Sequence, residues 1–176
     1  MKLYLIRHGQ TDLNKENRLQ GRRGLPLNQM GVNQAKQLAE KLKNVKFNFV
    51  FSSPQERAVQ TAQIALNVEP VIDCRLDVYD LGEADNLKVD EAKCFYKVIP
   101  DPSVYAGVEN IVDYKNRILN FVTEIVTKYK STNYNIAVCG HKCTMGCISA
   151  ILKGMPEDGD FLKMSIPNGD YSVIEI

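Results

Sequence analysis

The sequence predicts an α/β fold, a three-layer α/β/α sandwich around a mostly parallel central sheet. Three observations predict it. Short apolar runs of strand length stand at 2–6 (Lys-Leu-Tyr-Leu-Ile), 47–51 (Phe-Asn-Phe-Val-Phe), 134–139 (Tyr-Asn-Ile-Ala-Val-Cys) and 171–176 (Tyr-Ser-Val-Ile-Glu-Ile). The stretches between several of them are helical in period, and alternating strands and helices put helices on both faces of a sheet through right-handed crossovers. Finally, 176 residues that are 44% apolar suffice for one sizeable core and make two full domains a tight fit. One domain over 1–176 is therefore expected, with an irregular excursion at about 75–104.

From about Gln29 to Lys43, Val32, Ala35, Leu38, Ala39 and Leu42 form one stripe opposite Asn33, Lys36, Gln37, Lys41 and Lys43, the pattern of a helix covering a sheet face. Ser53-Pro54-Gln55-Glu56 reads as a capping box: Ser53 as cap, Pro54 at the first helical position and Glu56 closing the box. The longest helix is expected from about Val108 to Lys130, where Ile111, Ile118, Leu119, Val122, Ile125, Val126 and Tyr129 make an apolar stripe. A further helix begins just after His141 and ends near Gly154 and Pro156. The excursion mixes Asp, Gly and Pro, with a short helix expected around Lys88 to Lys97.

Lysine plus arginine (22) nearly cancels aspartate plus glutamate (21), which argues against a nucleic-acid groove or a polybasic membrane anchor. The first residues turn charged too early for a signal-peptide apolar region or a membrane span, so a cytoplasmic setting is expected. The five cysteines are odd in number and irregularly placed, and read as reduced thiols. A zinc site of Cys139, Cys143 and Cys147 with His141 is disfavoured because the spacings match none of the usual pairs. Small core thiols are the better reading, with Cys143 near the site mouth.

There are two histidines, His8 and His141, and each follows an apolar strand. In an open α/β sheet, ligands collect beyond the carboxyl ends of the strands, where helix N-termini favour anions. Arg7 stands beside His8, and Arg57 falls in the first turn of the helix after the second strand. Two arginines and two histidines at one electropositive spot suit a phosphoryl group, whose oxygens match guanidinium forks. Gly140, before His141, is expected to allow a tight turn.

Leu5-Ile6-Arg7-His8-Gly9-Gln10-Thr11, followed by Asn14, resembles the signature of the histidine phosphatase superfamily, which also contains the cofactor-dependent phosphoglycerate mutases. Gln20-Gly21, Pro26-Leu27-Asn28-Gln29-Met30-Gly31, Gln34-Ala35, Ser52-Ser53-Pro54 with Arg57-Ala58 and Thr61-Ala62, and Cys139-Gly140-His141 agree in order, so the resemblance spans essentially the whole chain. It implies a phosphoglycerate mutase-like fold and a phosphohistidine intermediate on His8. It further implies phosphate contacts from Arg7, Arg57, His141 and Asn14, with no cofactor and no metal required. Gln20, Gly21, Arg23 and Lys142 are the further substrate-binding candidates. A small phosphorylated metabolite is the expected partner.

Two departures stand out. Where the family usually carries a general-acid glutamate, Leu76-Asp77-Val78-Tyr79-Asp80-Leu81-Gly82 places Val78. Losing such an acid typically costs about 10²–10⁴-fold on an alkyl phosphate. Asp80 is the expected substitute, with Asp77 and Glu83 as others, unless the substrate has a leaving group that needs little help, such as an aryl, acyl or histidine-bound phosphate. Arg22-Arg23-Gly24 also replaces the usual aromatic and aspartate, which would favour a doubly anionic substrate or simply leave solvated loop charges. The leading expectation is a phosphatase acting on a phosphomonoester. The alternatives are a phosphoglycerate mutase, a phosphohistidine-protein phosphatase, or a phosphate-binding module without turnover.

Overall fold

The computed structural model describes residues 1–96 and 98–176. The strand β1 (Lys2–Arg7) is followed by the short α1 (Asp12–Lys15) and by α2 (Gln29–Leu42), β2 (Phe49–Ser52), α3 (Glu56–Leu66) and β3 (Val71–Ile72). A small antiparallel hairpin, β4 (Cys94–Tyr96) and β5 (Ile99–Pro100), precedes the long α4 (Ile111–Tyr129). The chain closes with β6 (Asn135–Gly140), α5 (Lys142–Lys153) and β7 (Tyr171–Glu175).

The main sheet runs β3-β2-β6-β1-β7, parallel throughout except for β7, which pairs antiparallel to β1. Strand side chains alternate between faces, and the central strands are apolar on both. Leu3, Leu5, Ile136 and Val138 join the larger core with Ile118, Phe121 and Ile125 of α4 and Met145 and Ile148 of α5. Tyr4, Ile6, Ala137 and Cys139 face the other way, onto Leu38 and Leu42 of α2 and Ala62 and Ala65 of α3. This gives the expected three layers, with α2 and α3 on one side and α4 and α5 on the other.

The excursion at 75–104 is laid against the larger core, where Leu76, Val78, Tyr79, Leu81, Ala84 and Ile99 are buried. Arg117 of α4 secures it by donating to the carbonyls of Arg75 (2.8 Å), Asp77 (2.7 Å) and Val78 (2.9 Å). These are strong charge-assisted bonds to backbone that would otherwise lack partners. The helix expected around Lys88 to Lys97 is absent from its described residues: Lys88 bridges to Arg18, 89–91 are turn and 94–96 form β4, while Lys97 lies outside the described residues. The segment is instead tied by Leu19 N–H to the Leu87 carbonyl and Val89 N–H to the Asn17 carbonyl, and tertiary pairing of this kind outweighs weak local propensity.

Two further expectations are corrected. Helix α3 begins at Glu56, flanked by Gln55 without a side-chain cap, so Ser53 is not its cap. In α4, Tyr114 and Phe121 are buried whereas Leu119 is exposed, shifting the buried stripe around the helix. No helix among the described residues is long and apolar enough to cross a membrane.

Candidate active site

Sheet register builds the site. Ile6 pairs with Cys139 and Arg7 with Gly140, so the residues that follow, His8 and His141, emerge side by side at the carboxyl end of the sheet. Their ring centroids are 5.2 Å apart and both are buried. On the other side of β6, Ser52 pairs with Cys139, which carries Ser53 next to His141. Ser53 Oγ lies 2.7 Å from His141 Nε2 and 3.5 Å from Asp77 Oδ1. The same hydroxyl accepts only a longer bond (3.3 Å) from the Gln55 N–H ahead of α3, so its shorter bond goes to a tertiary partner.

His8 Nδ1 stands 2.7 Å from the Gly9 carbonyl. A carbonyl only accepts, so Nδ1 carries the proton and Nε2 keeps its lone pair. Burial, then the charges of Arg57 and Arg7, hold the His8 pKa well below its ordinary value. The same causes, burial first and Arg57 next, hold His141 down. Both rings are therefore neutral at physiological pH, as a nitrogen nucleophile must be. Arg7 and Arg57 are themselves lowered to about 10, chiefly by burial, and stay charged at neutral pH.

The loop carrying His8 is held by close backbone approach. A Cβ on Gly9 would lie 2.5 Å from the Gly31 carbonyl oxygen, and one on Gly31 would lie 2.1 Å from the Gln10 carbonyl oxygen, so the first turn of α2 seats directly on the His8 loop. Gly9 N–H donates to Thr61 Oγ1 on α3 (3.1 Å), and Asn168 Nδ2 donates to the His8 carbonyl (3.1 Å) and to Asn14 Oδ1 (3.2 Å). Gly140 ends β6 without a positive φ, contrary to the expected turn; a Cβ there would meet Met145 Cε at 2.9 Å.

A small cavity of about 70 Å³ opens over His8. Arg7, His141, Asn14, Gln20, Lys142 and Cys143 line it on the polar side. Of the other candidates, Arg57 lies behind this wall: its NH2 donates to the Gly21 carbonyl (3.0 Å), and its NH1 faces Gln55 Oε1 (3.4 Å). Gly21 thus serves by holding Arg57. Arg23 is exposed and donates to the Gly82 carbonyl (2.7 Å), away from the cavity. Asp80 does not line it either, since its carboxylate faces Arg22 (3.2 Å) and the Gly82 N–H (3.1 Å). Asp77 is likewise engaged, by Gln55 Nε2 (2.8 Å) and the Val78 N–H (2.8 Å), and Glu83 accepts from Ala106 N–H (3.2 Å). Val78 stands in the cavity wall.

Residues that sequence reasoning missed are Ser53 as the partner of His141, Thr61 and Asn168 as supports of the His8 loop, and Arg18 in the wall. The motif positions of Ser53 and Thr61 were the available signals; Asn168 and Arg18 depend on long-range contacts. Three buried nitrogens lack a partner among the described residues: Arg7 Nε, Arg57 Nε and His141 Nδ1. All belong to the groups around His8. Buried polar nitrogens are seldom left unsatisfied, and two of these three, on Arg7 and His141, belong to residues that line the cavity, as in a site completed by an anionic ligand. Among the described residues no group of three or more His, Cys, Asp or Glu is arranged to hold a metal ion.

Comparison with known proteins agrees with this geometry. Phosphoserine phosphatase 1 of Hydrogenobacter thermophilus is 27% identical over 100% of this chain and 87% of its own. A probable phosphoglycerate mutase, GpmB, of Yersinia pestis (strain Pestoides F) is 34% identical over 89% of this chain and 76% of its own. Among solved structures, the alpha-ribazole phosphatase of Shigella flexneri superposes with a TM-score of 0.83 at 25% identity, covering 100% of this chain and 91% of that one. The model of the histidine phosphatase superfamily (branch 1) matches residues 3–176, the whole span from β1 to β7, and the chain belongs to that superfamily.

Proposed function

We propose that this chain is a phosphatase that cleaves a phosphorylated small molecule through a phosphohistidine on His8. The observation that carries the reading is the ring of unpartnered buried nitrogens on Arg7, Arg57 and His141 around a neutral His8 whose Nε2 is the only nitrogen left to react. The phosphoryl group sits over His8 in the cavity, and the rest of the substrate extends from it along the remaining lining. Arg7 and His141 meet the phosphoryl oxygens from the wall. Arg57, one layer back, adds its charge, and Asn14 and Gln20 position an oxygen each. Phosphoryl transfer needs chiefly this positioning and charge, because little covalent chemistry falls to the protein.

The test is to incubate the protein with a ³²P-labelled phosphate donor in the presence of a chelator and to quench in acid or base. An acid-labile, base-stable phosphoprotein that turns over into inorganic phosphate, and that His8→Ala lacks, is expected. Turnover by His8→Ala at the wild-type rate would overturn the reading.

A further inference from the structure

We propose, resting on the phosphohistidine reading above, that the substrate is an acyl or aryl phosphate, whose leaving oxygen departs as a stabilised carboxylate or phenolate without receiving a proton from the enzyme. Beside its polar groups the cavity has an apolar lining of Leu19, Val78, Tyr79, Leu81 and Val98. No carboxyl group among the described residues lines the cavity. The carboxylates nearby are committed elsewhere. Asp80 is held by Arg22, and Asp77 by Gln55 and its neighbour's N–H. Glu109 gives both oxygens to Arg117 (2.8 and 2.9 Å), and Asp85 accepts from the N–H groups of Gly21 (2.8 Å) and Arg23 (3.1 Å). Tyr79 lines the cavity, but its hydroxyl donates to the Glu109 carbonyl on the far side.

The cations in the lining are Arg7, Lys142 and Arg18, the last with its guanidinium paired to Glu16 (2.9 Å). Positive charge suffices for an anion that is already a weak base, whereas an alkoxide needs a proton as well. The step balances without an acid. The Nε2 lone pair of His8 forms the N–P bond as the P–O bond breaks, and that electron pair leaves with the carboxylate or phenolate. The ring, still protonated at Nδ1, becomes cationic. Water then attacks phosphorus, the N–P pair returns to Nε2, and both water protons depart on dihydrogen phosphate.

The experiment measures kcat/KM for acetyl phosphate, p-nitrophenyl phosphate, phenyl phosphate and glycerol phosphate, with His8→Ala as the blank. Wild type is expected to fall about 10²-fold or more from the first two to glycerol phosphate. Val78→Glu, which puts a carboxyl into the wall, is expected to raise the ratio of glycerol phosphate to acetyl phosphate hydrolysis by about 10²-fold, and Val78→Gln is expected not to. Equal rates on alkyl and acyl phosphates by wild type would overturn the proposal even if no Val78 variant folds. The absence of both phosphate release and phosphoprotein from acetyl phosphate, the least demanding substrate, would instead overturn the phosphatase reading beneath it.

Discussion

Arg22 NH1 lies 3.2 Å from Asp80 Oδ2, and the same guanidinium reaches Asp77 Oδ2 at 3.3 Å through Nε. One arginine in the loop after α1 thereby engages the two carboxylates that lie closest in sequence to Val78. The two departures of this sequence, an arginine at 22 and a valine at 78, belong to one local arrangement in which the acids face away from the cavity.

Asp80→Asn should accordingly leave kcat and KM on every substrate within about twofold. Its ion pair with Arg22 is half exposed, and pairs of that kind contribute roughly 0–1 kcal/mol, so stability should change by no more. Steady-state kinetics decide: a drop of about tenfold or more in kcat on an alkyl phosphate alone would restore Asp80 as the proton donor.

Gly24→Ala tests the placement of Arg57. A Cβ at Gly24 would lie 2.1 Å from Arg57 NH1, so the guanidinium must move while no backbone atom is struck at comparable distance. We expect kcat/KM to fall about tenfold or more with a loss of stability under about 1 kcal/mol, because displacing a charged group from a developing anion costs rate before it costs fold. Unchanged kinetics would show that Arg57 tolerates displacement.

Ser53→Ala removes the partner of His141 Nε2 and leaves a second unpartnered nitrogen on a ring that already has one. The ring then loses both its tautomer and its orientation, and kcat should fall about 10-fold or more, by analogy with outer partners of metal-bound histidines. Ser53→Thr, which keeps the hydroxyl, should recover most of it. If both variants lose activity equally, size and not the hydrogen bond is what matters.

Acid should destabilise the protein before its carboxylates titrate. His8 and His141 are held below their ordinary value of 6.5 in the folded state. Below that pH the unfolded chain binds protons that the folded chain refuses. Stability is therefore greatest above 6.5 and declines as pH falls through it, by up to about 1.4 kcal/mol per pH unit for each ring. Urea midpoints at pH 7.5 and 5.5 should show this fall, and His8→Asn should show a shallower one. Identical midpoints in wild type would mean that the rings are not held neutral.

Much of this protein is written in local pattern. Near-continuous apolar runs in 2–6 and 134–139 specify strands buried on both faces, and a histidine two residues beyond each lands at the carboxyl end of the sheet whatever the helices do. The stripe from Gln29 to Leu42 is legible for the same reason: periodicity and burial are properties of neighbouring residues. What tertiary structure alone decided is which polar groups remain available. Ser53 could give its hydroxyl wholly to its own helix, but the sheet register brings it within 2.7 Å of His141, 88 residues away, and leaves the Gln55 N–H a longer bond of 3.3 Å. Asp80 could serve the cavity or pair with Arg22, and Arg22 holds it. Glu109 could approach the leaving group, but Arg117 takes both its oxygens. Each choice is a competition between partners far apart in the chain. Sequence shows the competitors, and only the packed fold sets the distances that decide among them.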